Sequence, residues 1–341
     1  MFRRRYGRSV AVVALGVGLL IPLGLASAQG QLVAGALGGL TTLGIDDTPD
    51  PVIAAAGDIA CDPAHPKFNG GNGVTAKCAQ KRISDRLVAD AAVDQVLGLG
   101  DYQYACGDPD DYSMSYDPTW GRVNPLIQAV AGNHEYQTGP DPYGGTCPAD
   151  NTTAQPYFNY FGAAAHPESS GHYSFNVGDW HLVALNGNCS KSGVGGCSAT
   201  SAQTQWLKAD LAANLQPCTL AFWHQPRFTG TTLPVNAYNA WWQVLYDAKA
   251  DVVLNGHIHN YQRYDPLTPA GVLDPDNGIT QYVVGTGGET LQAVRTTVVP
   301  APAATHKAFG YMRMALHPTS WDTEFVNAAG TVLDTSSGSC H

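Results

Sequence analysis

The stretch VVLNGHIHNYQRY, residues 252–264, decides the fold class of this sequence. It begins with a short apolar run of the kind that forms a buried strand, and the run leads into Gly-His-Ile-His at residues 256–259. Imidazoles are common metal ligands, and the glycine lets the backbone turn sharply behind them. Four other apolar runs end in the same way, in polar residues of metal-ligating types. These ends are Gly57-Asp58, Gly100-Asp101-Tyr102-Gln103-Tyr104, Gly132-Asn133-His134-Glu135 and Trp223-His224.

From residue 51 onward, strand-like apolar runs alternate with amphipathic helical patterns, which predicts an α/β fold. The predicted strands are residues 52–56, 96–99, 129–131, 180–185, 219–223, 252–254 and 282–285. The predicted helices are residues 81–89, 204–214 and 238–249. Since no internal repeat or obvious linker interrupts the pattern, residues 51–341 are predicted to form one domain.

The five polar clusters predict a metal site. In an α/β sheet the carboxyl ends of the strands converge on one edge, where ligands bind. Carboxylates, an amide oxygen, imidazoles and a phenol would meet there, and this mixture suits Zn, Mn or Fe rather than Cu(I). Two metal ions about 3.5–4 Å apart can polarise a phosphoryl oxygen and supply a hydroxide. Asp101 is the natural candidate for the carboxylate that bridges them.

One cluster alone is weak evidence, because Gly-Asp and Gly-Asn are ordinary turn dipeptides. The five in this order are far more specific, and over residues 52–334 the chain resembles the calcineurin-like metallophosphoesterases. Most members of that superfamily have a histidine two residues after the first aspartate, where this chain has Ala60. The purple acid phosphatases replace that histidine with a tyrosine, which matches Tyr104, and their GHxHxYxR signature matches residues 256–263. The resemblance implies a four-layer α/β-β/α sandwich of two mixed sheets.

The resemblance also implies two metal ions. The ligands of the first would be Asp58, Asp101, Tyr104 and His259. The ligands of the second would be Asp101, Asn133, His224 and His257. A tyrosinate favours Fe(III) in the first site, and the second would then hold Zn, Mn or Fe(II).

Catalytic and substrate-binding roles follow from the same resemblance. Asp101 is the bridging catalytic carboxylate, and His134 is expected beside the leaving oxygen, where an imidazolium can stabilise or protonate the alkoxide. Asn133 and His134 are also the expected substrate contacts. Glu135 is expected to orient a neighbouring group.

Several polar residues near the signature have competing interpretations. Tyr102 competes with Tyr104 for the metal, but strand alternation and the family spacing favour Tyr104. Arg263 can bind substrate, although an arginine just past a ligand loop more often pairs with an acid. Gln225 stands where many similar sequences have a second histidine, so Arg227 is a candidate to bind phosphate bidentately in its place.

The N-terminal residues predict export. Four arginines precede an apolar run that ends in Ala-Ser-Ala at residues 26–28, which is typical of a secretory signal peptide over residues 1–28. The run is shorter than the roughly 20 residues that span a bilayer, so no membrane anchor is expected. Residues 29–50 are predicted to be a flexible lead-in. The eight cysteines all follow the cleavage site, which favours disulfides, with the connectivity left open.

The charge and the site together predict the function. The net charge is −10, and removal of the four arginines takes it to −14, which disfavours binding to nucleic-acid backbones. We predict a secreted enzyme that hydrolyses small phosphomonoesters by hydroxide attack on phosphorus at a dinuclear metal centre. A phosphodiesterase or nucleotidase with the same ligands is the first alternative. A non-catalytic secreted protein that binds phosphate or a partner is the second. The oligomeric state cannot be predicted from the sequence.

Overall fold

A computed structural model describes residues 49–230, 235–294 and 297–341 of the chain. The predicted signal peptide, residues 1–28, lies outside the described residues. The predicted lead-in, residues 29–50, also lies outside them except for its last two residues. The architecture below belongs to the compact unit Thr48–His341.

Strands and helices alternate along the described chain. The strands are β1 (Val52–Ala56), β2 (Gln95–Gly98), β3 (Ile127–Ala129), β4 (Gly139–Pro140), β5 (Thr146–Cys147), β6 (Tyr173–Val177), β7 (Trp180–Ala184), β8 (Cys218–Phe222), β9 (Val252–Asn255), β10 (Tyr261–Leu267), β11 (Ile279–Val284), β12 (Ala304–His306), β13 (Gly310–His317), β14 (Ser320–Asn327) and β15 (Val332–Ser339). The α-helices are α1 (Gln80–Val88), α2 (Pro109–Asp111), α3 (Gln155–Phe161), α4 (Ala202–Ala213) and α5 (Asn239–Asp247). Short 3-10 and π turns fill several of the connections.

The strands form two mixed sheets. The first has six strands in the order β15-β14-β13-β1-β2-β3, with β1, β2 and β3 parallel and the other pairs antiparallel. The second has seven strands in the order β12-β10-β11-β9-β8-β7-β6, with β7, β8, β9 and β11 parallel. Strands β4 and β5 pair separately as a small hairpin.

Side-chain alternation along the second sheet separates two apolar cores. One face of β8, represented by Leu220 and Phe222, packs in the same core as Ile53 of the first sheet. The residue between them, Ala221, faces the other core, together with Trp241 of α5. Because successive strand residues point to opposite faces, the sheet is buried on both sides. The layers are helix, sheet, sheet and helix, which confirms the predicted four-layer fold.

The predicted elements are all present, most of them shifted by one to three residues. Strand β3 runs over Ile127–Ala129 rather than residues 129–131, and β11 begins at Ile279, three residues before the predicted start. The C-terminal strands β13, β14 and β15 were missed, although they supply half of the first sheet. Regular structure without a predicted counterpart also occurs in α2 with the π turn Tyr112–Tyr116, and in the β4-β5 hairpin.

All eight cysteines form disulfides, as predicted. The pairs are Cys61–Cys78, Cys106–Cys147, Cys189–Cys197 and Cys218–Cys340. The last pair joins β8 to the segment that follows the edge strand β15. Among the residues that the structure describes, no helix is both long and apolar enough to cross a membrane.

Candidate metal centre

The predicted ligands lie just beyond the carboxyl ends of parallel strands from both sheets. Asp58 follows β1 and Asp101 follows β2, in the first sheet, while His224 follows β8 and His257 follows β9, in the second. Asn133 lies beyond β3. Parallel strands end at the same edge of a sheet, so the two facing sheets bring these residues together.

The first predicted group of ligands is tightly assembled around the phenol of Tyr104. Its Oη atom lies 3.0 Å from Oδ1 of Asp58, 3.0 Å from Oδ2 of Asp101 and 3.2 Å from Nε2 of His259. The imidazole of His259 is also 3.1 Å from Oδ1 of Asp58. Four atoms able to ligate a metal therefore share one small volume. Tyr102, in contrast, is fully buried and donates its hydroxyl to the carbonyl of Gly98 at 2.7 Å, which agrees with the choice of Tyr104.

The second predicted group is centred on His224. Its Nε2 atom lies 3.1 Å from Oδ2 of Asp101, 3.2 Å from Oδ1 of Asn133 and 3.3 Å from Nδ1 of His257. The other ring nitrogen, Nδ1, is 2.7 Å from the carbonyl of Leu99. That carbonyl accepts a hydrogen bond from Nδ1–H, which leaves the Nε2 lone pair directed at the group when the ring is neutral.

Asp101 joins the two groups through one oxygen atom. Its Oδ2 is the atom that lies 3.0 Å from Tyr104 and 3.1 Å from His224. Its Oδ1 instead accepts a 2.8 Å hydrogen bond from the backbone N–H of His134. This hydrogen bond fixes the carboxylate so that the same oxygen faces both groups.

The backbone at three of the ligands adopts a conformation that non-glycine residues rarely take. Asp58, Asp101 and His257 have φ values of 61°, 53° and 67°. Residues held in this left-handed region cost about 1–3 kcal/mol each, and such strain concentrates at functional sites. Close packing adds to the constraint, because a Cβ atom on Gly132 would stand 2.2 Å from Oδ1 of Asp101.

Glu135 holds the turn that carries Asp101. Its buried carboxylate accepts hydrogen bonds from the backbone N–H groups of Asp101 at 2.9 Å, Tyr102 at 2.8 Å and Gly132 at 2.6 Å. Burial and the nearby charge of Asp101 raise the pKa of the Glu135 carboxyl to about 7. The predicted orienting role of Glu135 therefore has a definite geometry, in which it acts on the backbone of the bridging residue.

The electrostatics of the cluster fit bound cations. Burial favours the neutral carboxyl of Asp101, but the imidazoles of His224 and His134 outweigh this and hold its pKa far below the usual value. Burial likewise opposes the charge on His224, yet Asp101 raises the pKa of that imidazole to about 9. Protons are thus retained to balance buried carboxylates. Metal ions that displace those protons would balance the same charge, and the oxygen and nitrogen donors suit them.

A model of the calcineurin-like phosphoesterase family matches residues 52–261, which contain all seven predicted ligands. The chain belongs to this family.

Relatives within the family are purple acid phosphatases. The chain is 29% identical over 230 residues to purple acid phosphatase 15 of Arabidopsis thaliana, covering 57% of this chain and 40% of the relative. It is 28% identical over 239 residues to a purple acid phosphatase of Glycine max, covering 63% of this chain and 48% of the relative. The chain thus spans about half the length, or less, of these curated relatives. A purple acid phosphatase structure from yellow lupin shares the fold with a TM-score of 0.66 at 18% identity, over 85% of this chain and 53% of that one.

His134, the family's expected partner of the leaving group, lies at the rim of the cluster. Its side chain is 23% exposed, and its Nε2 atom is 3.9 Å from Oδ2 of Asp101. Its Nδ1 atom contacts the carbonyl of Ala105, and its ring packs on Tyr104 with the centroids 4.2 Å apart. These contacts direct Nε2 towards the cluster.

The two arginines proposed from sequence lie in other surroundings. Arg227 is buried, donates a 3.4 Å hydrogen bond to the carbonyl of Pro269 and packs against the ring of Phe228. None of these contacts involves a predicted ligand, so its substrate-binding role stays a prediction. Arg263 pairs with Asp334 through two hydrogen bonds of 2.8 and 3.1 Å, which supports the structural alternative.

Glu289 is a site residue that the sequence analysis missed. Its Oε2 atom lies 3.2 Å from Nδ1 of His259, on the side of the ring opposite the cluster, without the alignment of a hydrogen bond. The backbone N–H of Glu289 donates to the carbonyl of Asp58 at 3.0 Å, which fixes its position. The sequence did contain a signal for Glu289, because residues 285–289 read Gly-Thr-Gly-Gly-Glu directly after β11. An apolar strand that ends in glycines and a carboxylate is the pattern that marks the other site residues.

Proposed function

We propose that this chain is an exported phosphatase that hydrolyses small phosphomonoesters at a dinuclear metal centre. The observation that carries the proposal is the position of Oδ2 of Asp101, within 3.1 Å of both Tyr104 and His224. A single carboxylate oxygen that faces two complete donor groups is the arrangement that a bridging ligand requires. Similarity to purple acid phosphatases supports the same activity.

The residues present define how two cations would be held. Asp58, Asp101, Tyr104 and His259 would bind the first, and Asp101, Asn133, His224 and His257 the second. Burial and the carboxylates of Asp101 and Asp58 raise the pKa of Tyr104 well above its usual value. A tyrosinate there needs a strongly charged cation, which favours Fe(III) in the first site and leaves Zn, Mn or Fe(II) for the second. Such a pair, when bound, supplies Lewis acidity towards the phosphoryl group and an activated water.

His134 would move the proton that the leaving alcohol needs. Because Nδ1 faces the carbonyl of Ala105, that nitrogen carries a proton, and Nε2 can donate only when the ring is an imidazolium. The exposed edge of the ring is open to an ester whose phosphate lies at the cluster. Asn133 would contact the same phosphate from the neighbouring position in the chain.

Export is supported by the cysteines. Four disulfides persist in an oxidising compartment and are rare in the cytosol of mesophiles. Together with the predicted signal peptide, they favour an extracytoplasmic enzyme whose substrates are found outside the cytoplasm. N-terminal sequencing of the secreted protein checks this directly, and we expect the mature chain to begin at Gln29.

The activity is tested with an aryl phosphomonoester and the matching diester, across pH, before and after chelation. We expect monoester turnover that chelation abolishes and that Fe together with Zn or Mn restores. Asp101→Asn should lose bound metal and turnover together, whereas Asp276→Asn, an exposed acid with the same charge change, should keep both. A preference for the diester would favour the phosphodiesterase alternative. Bound metal without turnover would favour the non-catalytic one.

The role of His134 is tested separately by varying the leaving group. General acid catalysis contributes about 10²–10⁴-fold, so His134→Asn should slow hydrolysis of an alkyl phosphate by about a hundredfold or more. The leaving group of a nitrophenyl phosphate needs little protonation, so the rate of its hydrolysis should fall by less than about tenfold in the same variant. Equal losses for both esters would contradict the assignment.

A further inference from the structure

A groove on the outer surface of helix α1 carries cations that the proposed mechanism does not use. It runs between α1 and the turn that joins β14 to β15. One part, about 370 Å³, is lined by Arg82, Lys307 and Ala328, and an adjoining part, about 310 Å³, shares Arg82 and Ala328 and adds Arg86. We call this the basic groove. None of the seven predicted metal ligands lines it.

The cations of the basic groove lack carboxylate partners in the described part of the chain. Within residues 49–230, 235–294 and 297–341, Arg82, Arg86 and Lys307 form no ion pair with a carboxylate. Asp85 also lines the groove, but its two oxygens are each 2.7 Å from another cation, Lys81 or Arg122.

The two arginines of the groove are held in place by backbone. Nη2 of Arg82 donates to the carbonyl of Val74 at 3.2 Å, and Nη2 of Arg86 donates to the carbonyl of Ala329 at 3.0 Å. They are four residues apart on one helix, so their side chains emerge on the same face. Each guanidinium is anchored through one nitrogen atom, and its other N–H groups are available to a ligand.

These features favour a compact anion with several phosphate groups. Guanidinium N–H groups match phosphate oxygens in pairs, and a fixed guanidinium loses less entropy on binding. Three uncompensated cations suit a ligand with about three negative charges. A long polyanion would extend beyond the groove over a chain whose net charge is −10, and this charge would repel it.

We propose that the basic groove is a second anion site, distinct from the metal centre, that binds a small molecule carrying two or more phosphate groups. The site does not depend on the proposed phosphatase activity. One short stretch of chain reaches both sites, since Glu289 contacts His259 and Leu291 lines the groove.

Calorimetric titration with inorganic tripolyphosphate tests the proposal. We expect Arg82→Gln/Arg86→Gln to weaken binding about tenfold and Lys307→Gln to weaken it about threefold, in line with the modest value of each exposed ion pair. Lys67→Gln/Lys208→Gln, which removes two exposed cations elsewhere, should change affinity by less than twofold. Among the described residues, the exposed side chain of Lys307 forms no hydrogen bond or ion pair, so its variant tests the site even if the double arginine variant folds poorly.

The metal centre is a competing phosphate site and is removed by a separate variant. His257→Ala should leave the groove-dependent binding intact, and the double arginine variant should turn over a monoester within twofold of wild type. Tripolyphosphate affinity that survives the arginine changes within twofold, or that is lost only in His257→Ala, would overturn the proposal. Equal loss in the lysine control, or tighter binding of a DNA dodecamer than of tripolyphosphate, would do the same.

Discussion

Glu289 gives the sharpest test of how the site is held. Its carboxylate is almost fully buried and stands 3.2 Å from Nδ1 of His259, while its backbone is fixed by hydrogen bonds to Asp58 and Cys78. A side-chain substitution there should leave the chain path unchanged. It would remove the carboxylate beside His259, whose negative charge increases the basicity of the ring nitrogen that faces the cluster.

The expected size follows from the chemistry of metal-bound histidines. Loss of a carboxylate behind such a histidine costs about 10–100-fold in metal affinity, or roughly 1.4–2.7 kcal/mol. Glu289→Gln removes the charge but keeps a polar group of the same size beside Nδ1, and the metal affinity should fall about tenfold. Glu289→Ala removes the polar group as well, and the metal affinity should fall by about a hundredfold.

Metal affinity is measured by competition against a calibrated chelator, with the metal content determined by atomic spectroscopy. In addition, kcat is measured at saturating metal. Lys77→Gln is the matched control, because Lys77 lies 3.6 Å from the other oxygen of Glu289 and forms no hydrogen bond or ion pair with His259. This variant breaks the ion pair between Lys77 and Glu289 but leaves Glu289 beside His259, so the metal affinity should change by less than twofold. An unchanged affinity in Glu289→Gln, or an equal loss in Lys77→Gln, would refute the reasoning.

Three further predictions concern the metal, the disulfides and an acidic surface. Tyr104→Phe should abolish any visible absorption of the iron-loaded protein, because that band requires charge transfer from a phenolate to Fe(III); an unchanged spectrum would exclude Tyr104 as the ligand. Replacing Cys218 and Cys340 by serine removes a disulfide that closes a sequence separation of 122 residues and should lower the free energy of unfolding by about 5 kcal/mol. The same change at Cys189 and Cys197, with a separation of 8, should lower it by about 2.5 kcal/mol. Denaturant titrations without reducing agent measure both values, and the reverse order would contradict the chain-entropy account. Burial and the charges of Asp62 and Asp108 raise the pKa of Asp111 from 3.8 to about 7, so its contribution to stability is present at low pH and is lost as the pH rises from about 4 to 7. Asp111→Asn should therefore stabilise the fold at pH 8 by about 1 kcal/mol after solvent screening, which raises Tm by about 2 °C. Near pH 4 the same substitution should hardly change Tm. Equal shifts at both pH values would be inconsistent with this titration.

Sequence patterns located the strand ends well because burial on both faces leaves a continuous apolar run. β8 and β9 are of this type, and each run stops where a ligand begins. The spacing within Gly-His-x-His and the position of Tyr104 then allowed the ligand groups to be proposed from the resemblance. Boundaries shifted by a few residues without moving a ligand, since each ligand lies in the turn that follows its strand.

The remaining parts depend on contacts that no local pattern contains. Strand β15 has the sequence VLDTSSGS and an exposed face, so it lacks the apolar signal of the buried strands. Glu289 lies thirty positions beyond His259 and meets it only because β11 pairs beside β9. Arg227 was chosen from its position near Gln225, but the chain after His224 turns so that its side chain is buried against Phe228.

Charge balance gives a physical reason to expect phosphate at the cluster and at the basic groove of this acidic chain. Elsewhere in the described residues several arginines are neutralised, as Arg263 is by Asp334 and Arg313 is by Asp90 and Glu324. A neutralised guanidinium offers little attraction to an anion, and the net charge of the chain opposes its approach. Attraction for a phosphate is therefore expected to be local. In the described part of the chain, cations bound at the cluster and the groove cations that form no ion pair with a carboxylate can supply it. This separation is the physical reason why changes to Asp101 and changes to Arg82 should affect different binding events.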